Sequence, residues 1–164
     1  MTKETFLKLE QPFRKTLHRR RIFVFVEHLF TGLVYLAYPA LLFYLLVLRD
    51  FRFWRCFLAP AVGLVLVSIL RRLINAPRPY EKYDFRPLLP KDKKGESFPS
   101  RHLFSVFMIA MAYYYVYVPM GIYLTVLGVL LGVLRVIGGV HFPKDVLVGA
   151  AIGVLLGGIG FFCF

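Results

Sequence analysis

Acidic residues are scarce in this chain: 9 Asp and Glu stand against 21 Lys and Arg, for a formal net charge of +12. No acidic cluster is available to hold a divalent cation, which disfavours metal-assisted phosphoryl chemistry and metal cofactors generally. Cysteine is limited to Cys56 and Cys163, each in or beside an apolar run. They form no CxxC pair and no metal-ligand spacing, so neither a disulfide framework nor a zinc site is expected. A soluble basic module interleaved with aromatics is also missing, which removes nucleic acid as a partner. No small-residue cleavage site follows the basic N-terminus, so no removable signal peptide is expected.

What is present is mostly apolar. Hydrophobic residues make up 59% of the 164 positions, and the mean hydropathy is +0.66. One soluble domain of this length cannot hide that much apolar surface. The chain therefore reads as an all-α, multi-span transmembrane bundle in a cell membrane. Its excess of positive charge suits anionic lipid head groups or phosphate-bearing substrates.

Residues 2–21 are polar and basic, with Phe6, Leu9, Phe13 and Leu17 recurring at three- and four-residue spacing. That periodicity predicts an amphipathic helix lying on the membrane surface. The chain thus divides into an N-terminal segment, 1–21, and a transmembrane domain, 22–164. About five spans follow, at Ile22–Leu48, Phe53–Ile74, Ser100–Val118, Met120–Ile137 and Pro143–Phe164. Each is near the roughly 20 residues needed to cross a bilayer. Residues 75–99, rich in Pro, Lys, Asp and Glu, form the sizeable loop.

Several features have structural explanations. Gly128 with Gly132, and the row Gly149, Gly153 and Gly157, allow close helix approach in lipid. Tyr113, Tyr114, Tyr115 and Tyr117 are expected to form an interfacial aromatic belt. Glu27 and His28, near the start of the first span, are expected to be hydrated or paired with one another rather than catalytic.

The remaining polar residues converge. Arg71 and Arg72 end the second span, and Arg78 follows one loop turn later. Ser100, Arg101 and His102 open the third span, Arg135 closes the fourth, and His141, Lys144 and Asp145 open the fifth. Antiparallel spans in this order bring all these groups to one membrane face. Arg guanidiniums match phosphate oxygens bidentately. Ser100, after Pro99, sits at a helix start, where unpaired N–H groups and the macrodipole favour an anion. The pattern predicts a metal-free phosphate pocket with two histidines. One can attack phosphorus and the other can protonate the leaving oxygen. Asp145, four residues after His141, can hold its imidazole in one tautomer. Taken singly, each residue has an ordinary structural explanation; their convergence is the signal.

These residues resemble the motifs of the type 2 phosphatidic acid phosphatase and vanadium haloperoxidase superfamily. That family carries Lys, six residues, then Arg-Pro; Pro-Ser-Gly-His; and Ser-Arg, five residues, His, three residues, Asp. Here the first reads "RRLINAPRP", with Arg71 in the Lys place and Arg78-Pro79 closing it. The second reads "PSRH", Pro99 to His102, and the third "LRVIGGVHFPKD", with Arg135, His141 and Asp145 at the family spacing. The resemblance implies that His141 is the nucleophile of a phosphohistidine intermediate, Asp145 its orienting partner and His102 the general acid. It implies that Arg71, Arg78, Arg135 and Ser100, with the Arg101 backbone N–H, hold the phosphoryl oxygens, and that no metal or cofactor is needed. Arg71 keeps the charge of the family's Lys. Arg101 in the Gly place adds a cation that can take a second phosphate. Leu134 in the Ser place removes a hydroxyl.

The haloperoxidase branch is soluble, and the apolar spans argue against it. The implied substrate is a membrane lipid phosphate or diphosphate entering sideways between helices: undecaprenyl diphosphate, phosphatidylglycerol phosphate or phosphatidate. The alternative is a catalytically silent lipid-phosphate binder or a small transporter reusing the same basic pocket. Relatives place this pocket on the extracytoplasmic face, and that face is expected here. The basic residues of 1–21 pull the other way under the positive-inside rule.

Overall fold

The computed structural model describes residues 1–91 and 93–163. Among them the chain forms seven helices: α1 (Lys3–Arg14), α2 (Leu17–Val47), α3 (Arg52–Ile74), α4 (Pro79–Lys82), α5 (Arg101–Val116), α6 (Val118–Ile137) and α7 (Pro143–Phe162). The all-α bundle is thus as expected. Phe164, at the end of the fifth expected span, lies outside the described residues.

Four helices, α2, α3, α6 and α7, are long and apolar enough to cross a membrane. The remaining expected span, the third, is α5, which has 16 residues, about 24 Å at 1.5 Å per residue. It stops at Tyr117, a single extended residue (φ −151°, ψ 95°) before α6. Pro119, in the first turn of α6, has no N–H to continue a helix running in from α5. α5 needs little contact with lipid because it is the axis of the bundle. It packs chiefly against α6 and α7 and also against α3, burying Leu103, Phe104, Val106, Met108, Ile109, Ala110, Ala112 and Tyr113.

Glycines permit this packing. A Cβ on Gly149 would stand 2.4 Å from the Ser100 carbonyl oxygen, and one on Gly153 2.6 Å from that of Phe104. The row Gly149–Gly153–Gly157 is therefore the face by which α7 approaches α5. Gly128 meets Val106 and Phe107 of α5, and Gly132 meets Val146 of α7. Both glycine sets serve packing, as expected.

The N-terminal region departs from expectation at two points. Thr16 caps a helix, its Oγ1 accepting from the Arg19 N–H at 3.3 Å. α2 therefore begins at Leu17, ahead of the expected Ile22. In addition, the inner side of α1 docks on protein. Phe6 is fully buried against Phe85 and Phe142, each at 5.7 Å between ring centroids. Glu10 is buried one turn later, accepting from Arg14 Nε at 2.7 Å and from the Leu88 N–H at 3.3 Å. Leu7 and Leu9 remain exposed. Hydrophobic spacing locates an apolar face without saying whether lipid or protein covers it.

The tyrosine cluster also splits. Tyr117 is exposed, but Tyr113 is buried and donates to the Ala37 carbonyl at 2.9 Å. Consecutive helical residues point in different directions, so one run cannot form one belt.

Candidate active site

The C-terminal ends of α3 and α6 and the N-terminal ends of α5 and α7 meet at one end of the bundle. The 75–99 loop and the α6–α7 link close over them. Arg71, in the last turn of α3, donates through Nη1 to the Pro99 carbonyl and, at 3.5 Å, to that of Ser97. Its Nη2 donates to the Glu96 carbonyl. Arg78 donates from Nε to the Gly95 carbonyl at 3.1 Å and from Nη1 to the Val140 carbonyl at 3.3 Å. Both arginines are buried. Arg71 ties the loop to the end of α3, and Arg78 braces it against the segment that carries His141. Arg78 Nη2 has no protein acceptor among the described residues.

His141 is 2% exposed. Burial pulls its imidazole down to about 4, against the pull of the Asp145 carboxylate. Burial thus favours the uncharged ring, whose free nitrogen keeps a lone pair for attack. Asp145 Oδ2 lies 3.6 Å from His141 Nδ1. The same oxygen accepts from Ser97 Oγ at 2.6 Å and from the Phe142 N–H at 3.1 Å, while Ser97 Oγ lies 3.4 Å from His141 Nδ1. Asp145 thus does two things: it caps α7, and together with Ser97 it fixes the Nδ1 side of the imidazole.

Ser100 precedes the first residue of α5. Its N–H donates to the Asp145 carbonyl at 2.8 Å, tying α5 to α7. Its Oγ is buried and has no hydrogen-bond partner among the described residues. A buried hydroxyl without a partner is costly unless a ligand supplies one. Arg101, by contrast, is exposed and stands at the rim. His102 lies in the first turn of α5, its ring edge-on to Tyr35 of α2 at 5.8 Å. Arg135, in the last turn of α6, is buried and paired with Glu27 of α2. All eight expected site residues therefore gather at this end: six are buried, His102 is half-buried, and Arg101 is exposed at the edge.

Sequence reasoning missed four residues. Ser97 bridges Asp145 and His141, but a serine two residues before Pro99 carries no spacing signal. Lys91 is half-buried in the loop and held down to about 8 by burial and then by Arg135 and Arg78; loop residues follow no periodicity. Tyr35 reaches His102 from a distant helix. Glu27, expected to be hydrated or paired with His28, does lie 3.4 Å from His28; what the sequence did not show is that it is 4% exposed and also pairs with Arg135. Its partner is 108 positions away in sequence, which no local pattern reveals. Among the described residues, no three His, Cys, Asp or Glu side chains are grouped as metal ligands would be.

A multi-pass helical frame with Arg, Ser and His side chains gathered at one end defines the class. The chain belongs to the PAP2 superfamily, whose description matches residues 52–164. It is similar to lipid A 1-phosphatase of Porphyromonas gingivalis, with 29% identity over 117 residues. That match covers 69% of this chain and 25% of that protein, so the chain spans about a quarter of that relative's length. The crystal structure of Aquifex aeolicus LpxE aligns with a TM-score of 0.73 and 30% identity, over 96% of this chain and 92% of that one. A transmembrane PAP2-type phosphatidylglycerolphosphate phosphatase from Bacillus subtilis aligns with a TM-score of 0.69 and 23% identity, over 96% and 83% of the two chains. At that identity, the second likeness speaks for the fold alone.

Proposed function

We propose that this protein is a metal-independent lipid phosphatase that hydrolyses a phosphomonoester or diphosphate of a membrane lipid. The observation that carries this reading is the buried His141, its Nδ1 facing Ser97 Oγ at 3.4 Å and Asp145 Oδ2 at 3.6 Å, beside a Ser100 hydroxyl with no partner among the described residues. In this reading His141 Nε2 attacks phosphorus, forming an N–P bond as the P–O bond to the lipid breaks. His102 gives its proton to the departing oxygen. Water then attacks the phosphohistidine, His102 takes a proton from it, and inorganic phosphate leaves. Arg78, Arg135, Ser100 and the Arg101 N–H hold the equatorial oxygens. Arg71 holds the loop that shapes the pocket and adds its charge.

In an in-line displacement the leaving group lies across phosphorus from the nucleophile, on the acid's side. Tyr35, the ring neighbour of His102, also lines an apolar groove of about 260 Å³ between α2, α3 and α5, with Phe57, Leu64 and Phe104. That groove suits the hydrocarbon part of a lipid substrate. The substrate candidates are undecaprenyl diphosphate, phosphatidylglycerol phosphate and phosphatidate. The name of one relative adds a lipid A 1-phosphate.

Phosphate release from a panel of these lipids by the purified chain tests the reading. Release should survive excess EDTA, because the proposed chemistry needs no cation, and orthovanadate should inhibit competitively as a transition-state mimic. Loss with chelator and recovery with Mg²⁺ would overturn metal independence. Vanadate binding without turnover of any lipid would instead indicate a binding protein.

The pocket is proposed to open on the extracytoplasmic face. Lys94, exposed in the loop, and Cys163, exposed at the far end of α7, report on opposite ends of the bundle. An impermeant thiol reagent applied to intact cells should label Lys94→Cys and spare Cys163. The reverse pattern would place the site in the cytoplasm.

A further inference from the structure

α2 lies outside residues 52–164, the part of the chain that matches the family. Even so, one of its faces is polar at helical spacing: Glu27, Thr31 and Tyr35 at successive i, i+4 positions, passing from buried through half-buried to exposed. Glu27 Oε1 is ion-paired with Arg135 Nη2, and the two side chains are 5% and 7% exposed. Thr31 Oγ1 donates to the same carboxylate oxygen at 3.4 Å. His28 Nδ1 stands 3.4 Å from Oε2, and 2.7 Å from the Val24 carbonyl oxygen. One turn beyond Thr31, Tyr35 meets His102, and Thr31, Tyr35, His102 and Arg135 line one enclosed recess. A carboxylate buried in a spanning helix is costly, and such groups usually face a partner with a task.

We propose that Glu27 is a positioning residue for phosphoryl transfer, acting through Arg135; this rests on the phosphatase reading above. By engaging Nη2, Glu27 fixes the guanidinium plane and leaves Nε and Nη1, which have no protein acceptor among the described residues, for the phosphoryl oxygens. It also sets one negative charge against the cations of the pocket. Two effects follow when that charge is removed. The pocket becomes more positive, so a ground-state phosphate is held at least as tightly. The guanidinium loses its fixed orientation, so the trigonal-bipyramidal arrangement of oxygens is held less well. A brace that merely ties α2 to α6 would weaken both states alike, or neither.

The test compares inorganic phosphate with orthovanadate on the full chain in detergent, reading each dissociation constant from ligand-dependent thermal stabilisation. Glu27→Gln should raise the ratio of vanadate to phosphate dissociation constants about tenfold or more, and lower kcat on a lipid phosphate by about 10–100-fold, as a small misplacement of a catalytic group does. Glu27→Asp retains the charge but retracts it by one methylene; it should raise the ratio by loss of geometry alone, and it substitutes if the Gln variant does not fold. An unchanged ratio in both variants, or failure of both to fold, would make Glu27 a structural brace and overturn the proposal. Absence of phosphate release by the wild-type chain would instead remove the phosphatase reading, while the binding ratio would still decide the role of Glu27 toward Arg135.

Discussion

His141→Ala is expected to abolish phosphate release from every substrate, by on the order of 10⁴-fold or more. The attack on phosphorus has no substitute of comparable nucleophilicity, because the hydroxyl beside His141, that of Ser97, already donates to Asp145 Oδ2. The variant should still fold. Asp145 Oδ2 keeps the Ser97 hydroxyl and the Phe142 N–H as donors, so losing the imidazole does not leave that oxygen bare. Binding of inorganic phosphate should survive within a few-fold, since Arg78, Arg135 and Ser100 are untouched. His141→Asn, which leaves a smaller cavity, serves as the control for packing. The measurement is single-turnover phosphate release alongside phosphate-dependent thermal stabilisation. Near-wild-type turnover in both variants would sink the phosphohistidine mechanism.

His102→Ala should separate substrates that His141→Ala treats alike. A general acid matters most when the leaving group is poor. The alkoxide leaving from phosphatidate needs a proton as the P–O bond breaks, whereas the p-nitrophenolate of an aryl phosphate leaves readily without one. General acid catalysis is worth about 10²–10⁴-fold, so lipid phosphate hydrolysis should fall by that factor and aryl phosphate hydrolysis far less. The ring of His102 rests on Tyr35 and makes no hydrogen bond to protein among the described residues. Its removal therefore orphans no buried polar partner. Equal slowing of both substrates at unchanged affinity would make His102 a phosphate ligand or a support for the start of α5.

Much of this was legible in the primary structure. Apolar runs near bilayer length locate the helices, because hydrocarbon admits only segments whose backbone polar groups are satisfied internally. Span order alone brings Arg71, Ser100, His102, Arg135, His141 and Asp145 to one end, because antiparallel neighbours must return to the same face. What was misjudged depends on how elements pack. The α2 start moved to Leu17 because Thr16 caps the helix. The α1 face met protein rather than being left to lipid alone because Phe85 and Phe142 happen to cover Phe6.

The sequence by itself determined the class of protein, the helical frame, the family motifs and the chemistry those side chains are suited to. Residue type, hydropathy and fixed local spacing are properties of single segments, and segments carry them unchanged into the fold. Only the tertiary structure decided which groups touch. It set Ser97 between Asp145 and His141 across 48 positions, made α5 the buried axis of the bundle, and gave Arg135 its carboxylate partner from α2. Such contacts arise from long-range packing, in which glycines such as Gly149 set how closely the helix backbones approach. A pair so far apart in the chain leaves no periodic trace in one sequence.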